Sequence, residues 1–148
     1  MRMPMKQSGF TLLEVLVAML VLSIGLLGLA GLMASSMRNN QSAYHSTQAT
    51  WLAYDILDRI RANRAGALAG DYNAALSSPA CSTAAPSGTI AAQDIGGWKN
   101  MIACALPEGA GSIAVTPANS RVRVIVQWND SRGTGGLANQ QLTVESQL

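Results

Sequence analysis

Residues 10–34 read FTLLEVLVAMLVLSIGLLGLAGLMA and contain a single charged side chain, that of Glu14. From residue 15 to residue 37 there is no charge, a run of 23 residues. About 20 apolar residues in a helix are enough to cross the hydrocarbon core of a bilayer. Arg2 and Lys6 precede the run. The positive-inside bias therefore predicts a cytoplasmic N-terminus and an exported C-terminal part.

Two ordinary explanations of this apolar block fit it incompletely. A secretory signal peptide has an apolar centre of about 7–15 residues followed by a small-x-small cleavage site. Here the apolar run is longer, and the best candidate cleavage site, Leu32-Met33-Ala34, has Leu where a small residue is expected. A plain membrane anchor explains the length but not Glu14. A carboxylate inside a membrane segment costs about 2.5–3.5 kcal/mol on insertion scales, unless it lies near the headgroups, so a partner is expected.

The residues around Glu14 form a longer pattern, Lys6-Gln7-Ser8-Gly9-Phe10-Thr11-Leu12-Leu13-Glu14-Val15. This stretch resembles the class III leader of type IV prepilins and pseudopilins, a short basic peptide ending in Gly and followed by Phe-Thr-Leu-Leu-Glu and an apolar helix. The resemblance implies cleavage between Gly9 and Phe10 by a prepilin peptidase, and N-methylation of Phe10 to N-methylphenylalanine.

Cleavage at that point would change the charge balance. The whole chain has ten basic and eight acidic residues. Removal of Arg2 and Lys6 with the leader leaves equal numbers of each. The new amino group on Phe10 would lie about one helical turn from Glu14. In a bundle of such helices, each amine could pair with a neighbour's carboxylate, which would offset part of their desolvation and fix the axial register.

Three glycines, Gly25, Gly28 and Gly31, follow within the apolar run. Each glycine costs about 1 kcal/mol in a helix relative to Ala, so this part of the helix is expected to have low helical stability and to be able to unwind. Close packing of small residues against other membrane helices is an equally good explanation. Gly31 also stands where major pilins usually have a kinking Pro, which favours a minor pilin.

The apolar helix is expected to continue beyond the membrane to about Arg64, because no proline occurs between Pro4 and Pro79. Its distal half has an apolar face with a four-residue repeat and neighbouring small residues. The face consists of Ala49, Leu52, Ala53, Ile56, Leu57 and Ile60. Two ion pairs, Asp55 with Arg59 and Asp58 with Arg61, are predicted on the solvent-exposed side of the helix. We expect Trp51 to pack in the core or in a groove.

The remaining sequence predicts a small α+β domain. A long loop over 66–90 precedes a helix over 93–106 and three antiparallel strands. Alternation of apolar and polar residues places the strands at 112–116, 121–128 and 140–147, with Val122, Val124 and Val126 on one face. The expected division is a leader (1–9), a transmembrane and assembly helix (10–34), its amphipathic continuation (35–65) and a globular domain (66–148).

Cys81 and Cys104 are the two cysteines of the chain. In a small exported domain with few aromatic residues, two cysteines favour one disulfide, although two free thiols are the alternative. A bridge between them would close a loop of about 24 residues and contribute roughly 3 kcal/mol to stability in the chain-entropy model.

A second pattern lies in the C-terminal part. A helix carrying Trp98 precedes the run ALPEGAGS at 105–112, and a Val-rich strand ends in VQWNDSRG at 126–133. Together these resemble PilV-type minor pilins, the type IV pilus modification proteins. That resemblance implies a subunit that acts in pilus assembly, surface display and twitching motility.

The sequence offers little support for an enzyme or a cofactor site. His45 is the single histidine and is expected on a solvated helix surface. No His/Cys cluster with zinc-ligand spacing and no phosphate-binding loop is visible, and Gly133, Gly135 and Gly136 are interpreted as turn residues. No basic stripe for nucleic acid is present.

Three functions remain open at this point. The first is a minor pilin, with a prepilin peptidase/methyltransferase, other major and minor pilins, the inner-membrane assembly platform and membrane lipid as partners. The second is a minor pseudopilin of a type II secretion system. The third is a membrane-anchored binding module that does not assemble.

Overall fold

The computed structural model describes residues 9–148, so Arg2 and Lys6 lie outside the described residues. The order of elements is α1 (Leu12–Ala62), α2 (Arg64–Ala69), β1 (Ala74–Ser77), α3 (Ile90–Ala105), β2 (Ala110–Thr116), a short 3-10 turn (Pro117–Asn119), β3 (Arg121–Trp128) and β4 (Gln140–Gln147). The chain divides into two compact units, residues 1–37 and residues 38–148.

The first unit consists, in its described part, of the beginning of α1. Every side chain from Leu12 to Met37 is exposed. Among the described residues, α1 is the one helix long and apolar enough to cross a membrane by length and composition. Gly25, Gly28 and Gly31 lie within regular helix, and a Cβ added at any of them would meet no atom within 4 Å.

The second unit is an α+β domain in which helices pack on one antiparallel sheet, as the sequence predicts. The sheet order is β1-β2-β3-β4, and every neighbouring pair is antiparallel. The amphipathic face of α1 is buried as predicted, with Ala53, Ile56 and Ile60 fully inaccessible. These residues share a core cluster with Val122, Val124 and Val126 of β3 and with apolar residues of α3. Both predicted ion pairs are formed, Arg59 with Asp55 and Arg61 with Asp58.

Four expectations about secondary structure were wrong in part. β2 begins at Ala110, two residues before the predicted start at residue 112. The segment expected to be a loop over 66–90 contains most of α2 and the whole of β1, so the sheet has four strands rather than three. The long helix ends at Ala62, because Asn63 leaves helical geometry and its side chain caps α2 by accepting from the Gly66 amide. Helix α3 begins at Ile90, three residues before the predicted start, because Thr89 caps it by accepting from the Ala92 amide. β3 and β4 have the predicted bounds.

Candidate processing and assembly site

The predicted cleavage point lies immediately before the first helix. Gly9 and Phe10 are exposed and outside regular secondary structure, and α1 begins at Leu12. Thr11 caps the helix, since the Glu14 amide donates to the Thr11 carbonyl oxygen at 3.0 Å and to its Oγ1 at 3.3 Å. The bond between Gly9 and Phe10 is therefore in accessible, non-helical backbone, as a peptidase substrate requires.

Glu14 lies in the first turn of α1 and on the same side of it as Phe10. These two residues line one shallow concavity with Ala18 and Leu22, which follow at four-residue intervals. A carboxylate in the first turn interacts favourably with the positive end of the helix dipole. Glu14 makes no ion pair within the described part of the chain. Its carboxylate is therefore available to a positive group brought by another molecule.

The comparisons with known proteins point to the same segment. Residues 4–30 match the family model of the prokaryotic N-terminal methylation motif. Searches of curated proteins and of solved structures each gave no match. The matched segment includes Gly9, Phe10, Glu14 and two of the three helix glycines. The N-terminal segment of this chain is thus prepilin-like, and the match supports a type IV pilin-like protein.

The second pattern, in the C-terminal part, has a packing explanation. The Trp98 ring is fully buried, and its Nε1 donates to the Leu52 carbonyl oxygen of α1 at 2.8 Å. Gly111 of β2 lies directly against this ring, because a Cβ at that position would be 2.6 Å from Trp98 Cη2. Gly109 approaches the Ile102 backbone even more closely. The residues of the ALPEGAGS run therefore allow β2 to pass under the indole.

A loop between β3 and β4 holds a buried carboxylate that sequence reasoning missed. Asp130 is 7 % exposed and accepts a 2.5 Å hydrogen bond from Ser42 Oγ of α1. Gly136 packs so closely that an added Cβ would be 2.0 Å from the Asp130 carbonyl oxygen. The hydrogen bond joins residues 88 positions apart. The signal in the sequence was Asn129-Asp130 followed by Gly133, Gly135 and Gly136, the glycines interpreted above as turn residues.

The disulfide predicted between Cys81 and Cys104 is present in the structure. It attaches the segment after β1 to α3. Next to it, Asn100 Nδ2 donates to the Ser82 carbonyl oxygen at 2.6 Å. The Ser82 backbone N–H in turn donates to Asn100 Oδ1 at 2.8 Å. Pro86 lies against Gly96, at 3.1 Å from where a Cβ would be. The glycine in α3 therefore makes room for the segment that the disulfide holds.

A second missed network joins α1, α3 and the turn before β1. The buried Tyr72 hydroxyl donates to Asp94 Oδ2 at 2.7 Å, and Arg59 contacts the other oxygen of Asp94 at 3.4 Å. Burial raises the pKa of Tyr72, and its hydrogen bond to Asp94 raises that pKa further. The hydrogen bond that Arg59 donates to the Asp55 carboxylate raises the pKa of Arg59. The network is structural, because Asp94 of α3 accepts from Tyr72 before β1 and from Arg59 of α1 and so joins the three segments.

Two expectations about α1 side chains were wrong. Trp51 is 67 % exposed rather than packed, because it projects from the side of the helix opposite Ile60. His45 is half-buried rather than solvated, and its Nδ1 is enclosed with no hydrogen-bond partner in the described chain. Among the described residues there is no group of three side chains that could hold a metal ion.

Proposed function

We propose that this chain is a minor pilin: a membrane-inserted precursor that is cleaved after Gly9, N-methylated at Phe10 and then incorporated into a type IV pilus or used to prime its assembly. The observation that carries the proposal is the match of residues 4–30 to the N-terminal methylation motif. The exposed backbone before Thr11 and the unpaired first-turn carboxylate of Glu14 support it.

The proposed course begins in the inner membrane, with the N-terminus cytoplasmic and the C-terminal domain periplasmic. A prepilin peptidase would remove residues 1–9 and methylate Phe10, and the inner-membrane assembly platform would then move residues 10–34 from lipid into contact with other pilins. Glu14 would pair with the amine of a neighbouring subunit and fix its axial position. Gly25, Gly28 and Gly31 would let this part of the helix pack closely or unwind. The role is structural rather than enzymatic.

Processing is tested by changing Gly9 to a bulky residue in cells that contain the peptidase. We expect an unprocessed precursor, because a large side chain next to the scissile bond would not fit the peptidase. The matched control is Gly97→Ala in α3, far along the chain from the leader, where an added Cβ would be no closer than 3.7 Å to the side chain of Pro86, and it should be processed normally. Mass spectrometry would contradict the proposal if the Gly9 variant still produced a mature chain beginning at Phe10.

Assembly is tested separately with Glu14→Ala. We expect normal insertion and cleavage but loss of the chain from sheared filaments, because the amine of the neighbouring subunit would have no carboxylate to meet. Unchanged incorporation would favour a simple anchor. The same motif serves pseudopilins, so a deletion strain separates the two systems: loss of twitching motility supports the pilus, and loss of enzyme secretion supports a type II secretion system.

The resemblance of the C-terminal part to PilV-type minor pilins adds the subfamily to the proposal. The residues that carry it, including Trp98 and Gly111, shape the core of the domain. A side face of α1 with exposed Tyr44, Trp51 and Tyr54 supports contact with other subunits, because large exposed side chains on one helix face are typical of interaction surfaces.

A further inference from the structure

Two exposed arginines have no carboxylate partner, Arg38 of α1 and Arg132 of the loop between β3 and β4. Within the described residues neither forms an ion pair, whereas Arg59, Arg61 and Arg123 each contact a carboxylate. A positive side chain on the surface without such a partner can interact with an anion from outside the chain. Both guanidinium groups are therefore available to a ligand.

The loop that carries Arg132 is attached to α1 one turn after Arg38. Ser42 Oγ of that turn donates to the buried carboxylate of Asp130 at 2.5 Å. Gly133 lies against the same turn, because an added Cβ would be 3.2 Å from Ser42 Cβ. The two arginines consequently line one open depression, together with Gln41, Ser131 and Gly133.

The side chains of this depression match a phosphate group. The guanidinium group of Arg is planar and donates two parallel hydrogen bonds to phosphate oxygens. The amide of Gln41 and the hydroxyl of Ser131 are further donors. The carboxylate of the same loop, on Asp130, is 7 % exposed and is directed to Ser42 rather than to either arginine. An anion in the depression would therefore meet donors on several sides.

The place of Arg38 in the chain indicates where that phosphate comes from. Arg38 directly follows the uncharged run of residues 15–37. As a helix this run is about 35 Å long, enough to cross a hydrocarbon core of about 30 Å and reach the headgroups. With the run in the bilayer, Arg38 lies at the level of the lipid phosphates. Basic side chains next to a membrane-spanning helix interact favourably with anionic headgroups.

We propose that the depression lined by Arg38 and Arg132 binds the headgroup phosphate of a phospholipid in the outer leaflet of the inner membrane and so holds the domain against the membrane surface. The proposal rests on the membrane insertion proposed above, which the pilin, the pseudopilin and the simple anchor share. It depends neither on cleavage at Gly9 nor on the pairing of Glu14.

The test titrates phosphatidylglycerol into the full chain in maltoside micelles, which contain no phosphate, and counts bound lipids by native mass spectrometry. The double variant Arg38→Gln, Arg132→Gln removes both guanidinium groups. We expect the apparent Kd of one lipid to rise at least about tenfold, because charge-assisted hydrogen bonds to its phosphate are lost. Diacylglycerol has no phosphate and should bind the original protein and the variant equally weakly.

The matched control is the double variant Arg64→Gln, Arg121→Gln, which removes the same charge. Both of these arginines are exposed and form no ion pair with the described residues. Arg121 begins β3, whereas Arg132 follows its end, and Arg64 lies beyond the end of α1. This control should bind phosphatidylglycerol as tightly as the original protein. Near-ultraviolet circular dichroism should be unchanged in both double variants, because all four side chains are exposed.

Each other outcome overturns the proposal. Equal lipid affinity in all three proteins shows that the depression does not bind the headgroup, and an equal loss in both double variants shows a general effect of charge. Complete displacement of the lipid by an equal concentration of inorganic phosphate shows a site for a free anion. Depletion of the Arg38 and Arg132 variant from sheared filaments without any change in lipid affinity shows that the arginines contact an acidic protein instead.

The outcome is separable from that of the assembly proposal. Glu14→Ala should bind phosphatidylglycerol as the original protein does, even where it is lost from filaments. Extraction of the chain from membranes by alkaline carbonate would contradict the insertion itself, whereas the titration in micelles measures the depression alone.

Discussion

Two stretches of α1 have the same helical backbone but differ in whether their apolar side chains are buried. Residues 12–37 expose every side chain, including Leu20 at 60 % and Leu27 at 74 %. Residues 49–60 bury Ala49, Ala53, Ile56, Leu57 and Ile60 completely. The difference follows from composition, because the first stretch is apolar on all sides and the second on one side only. The second stretch has its partner within the chain, whereas the first requires lipid or other helices.

Removing the buried Trp98 side chain from the core of the domain should cause the largest loss of stability. Trp98→Ala deletes the buried indole, its hydrogen bond to Leu52 and its contact with Gly111. Truncation of a buried Trp costs about 3–5 kcal/mol. We expect the free energy of unfolding of the domain to fall by that amount in urea titrations followed by near-ultraviolet circular dichroism. Membrane insertion should not change, because residues 12–37 supply it. A loss below about 1 kcal/mol would show that the indole does not hold the core together.

Removing the disulfide should cause the next largest loss of stability. Changing both Cys81 and Cys104 to Ser removes a cross-link with a sequence separation of 23 and should cost about 3 kcal/mol in the chain-entropy model. A reducing agent should destabilise the original protein equally and leave the double variant unaffected. Thiol labelling of the exported, non-reduced protein should find no free cysteine. Full labelling of both positions would contradict the structure.

The hydroxyl of Tyr72 should have a smaller and pH-dependent effect. Tyr72→Phe removes the donor to Asp94, and hydrogen bonds to charged groups contribute about 1.5–3 kcal/mol. Because folding raises the pKa of this phenol above its usual value of about 10, its contribution is complete below that pH and is lost as the pH rises through the folded value. Stability measured from pH 8 to 11 should fall at the alkaline end, and part of that fall should be absent in Tyr72→Phe.

The exposed Tyr54, which makes no side-chain hydrogen bond to the described residues, provides the matched control. Tyr54→Phe should leave the stability at neutral pH unchanged, since the substitution removes no hydrogen bond within the described residues. If the two variants lost stability equally at neutral pH, the bond from Tyr72 to Asp94 would not contribute to folding.

The sequence predicted those parts of the fold that depend on local periodicity. Alternation alone located β3 and β4, and a four-residue repeat located the buried face of α1. β1 was missed because Ala-Ala-Leu-Ser has weak strand propensity, and pairing with β2 and Lys99 holds it in place. The contact between Ser42 and Asp130 could not be predicted, because it joins positions 88 apart.

The N-terminal motif could be identified from the sequence because its signal is contained in one short stretch. The leader pattern around Gly9 and Phe10 was identified from consecutive residues, and the match of residues 4–30 covers the same stretch. The packing of Trp51 was predicted wrongly from its apolar character. Its angular position, half a helical turn away from that of Ile60, was the signal that would have placed it outside.

Trp51→Ala should have the smallest effect on stability and is the closest comparison with Trp98→Ala, since both remove an indole. Trp51 is 67 % exposed, and substitutions at exposed positions usually change stability by less than about 0.5 kcal/mol. We therefore expect the urea midpoint of the isolated chain to be unchanged. If the side face with Tyr44 and Tyr54 contacts other subunits, the same variant should be depleted from sheared filaments, because burying an aromatic side chain at an interface is favourable. Normal incorporation would show that this face of α1 remains in solvent, and a large loss of stability would show that Trp51 packs within the domain after all.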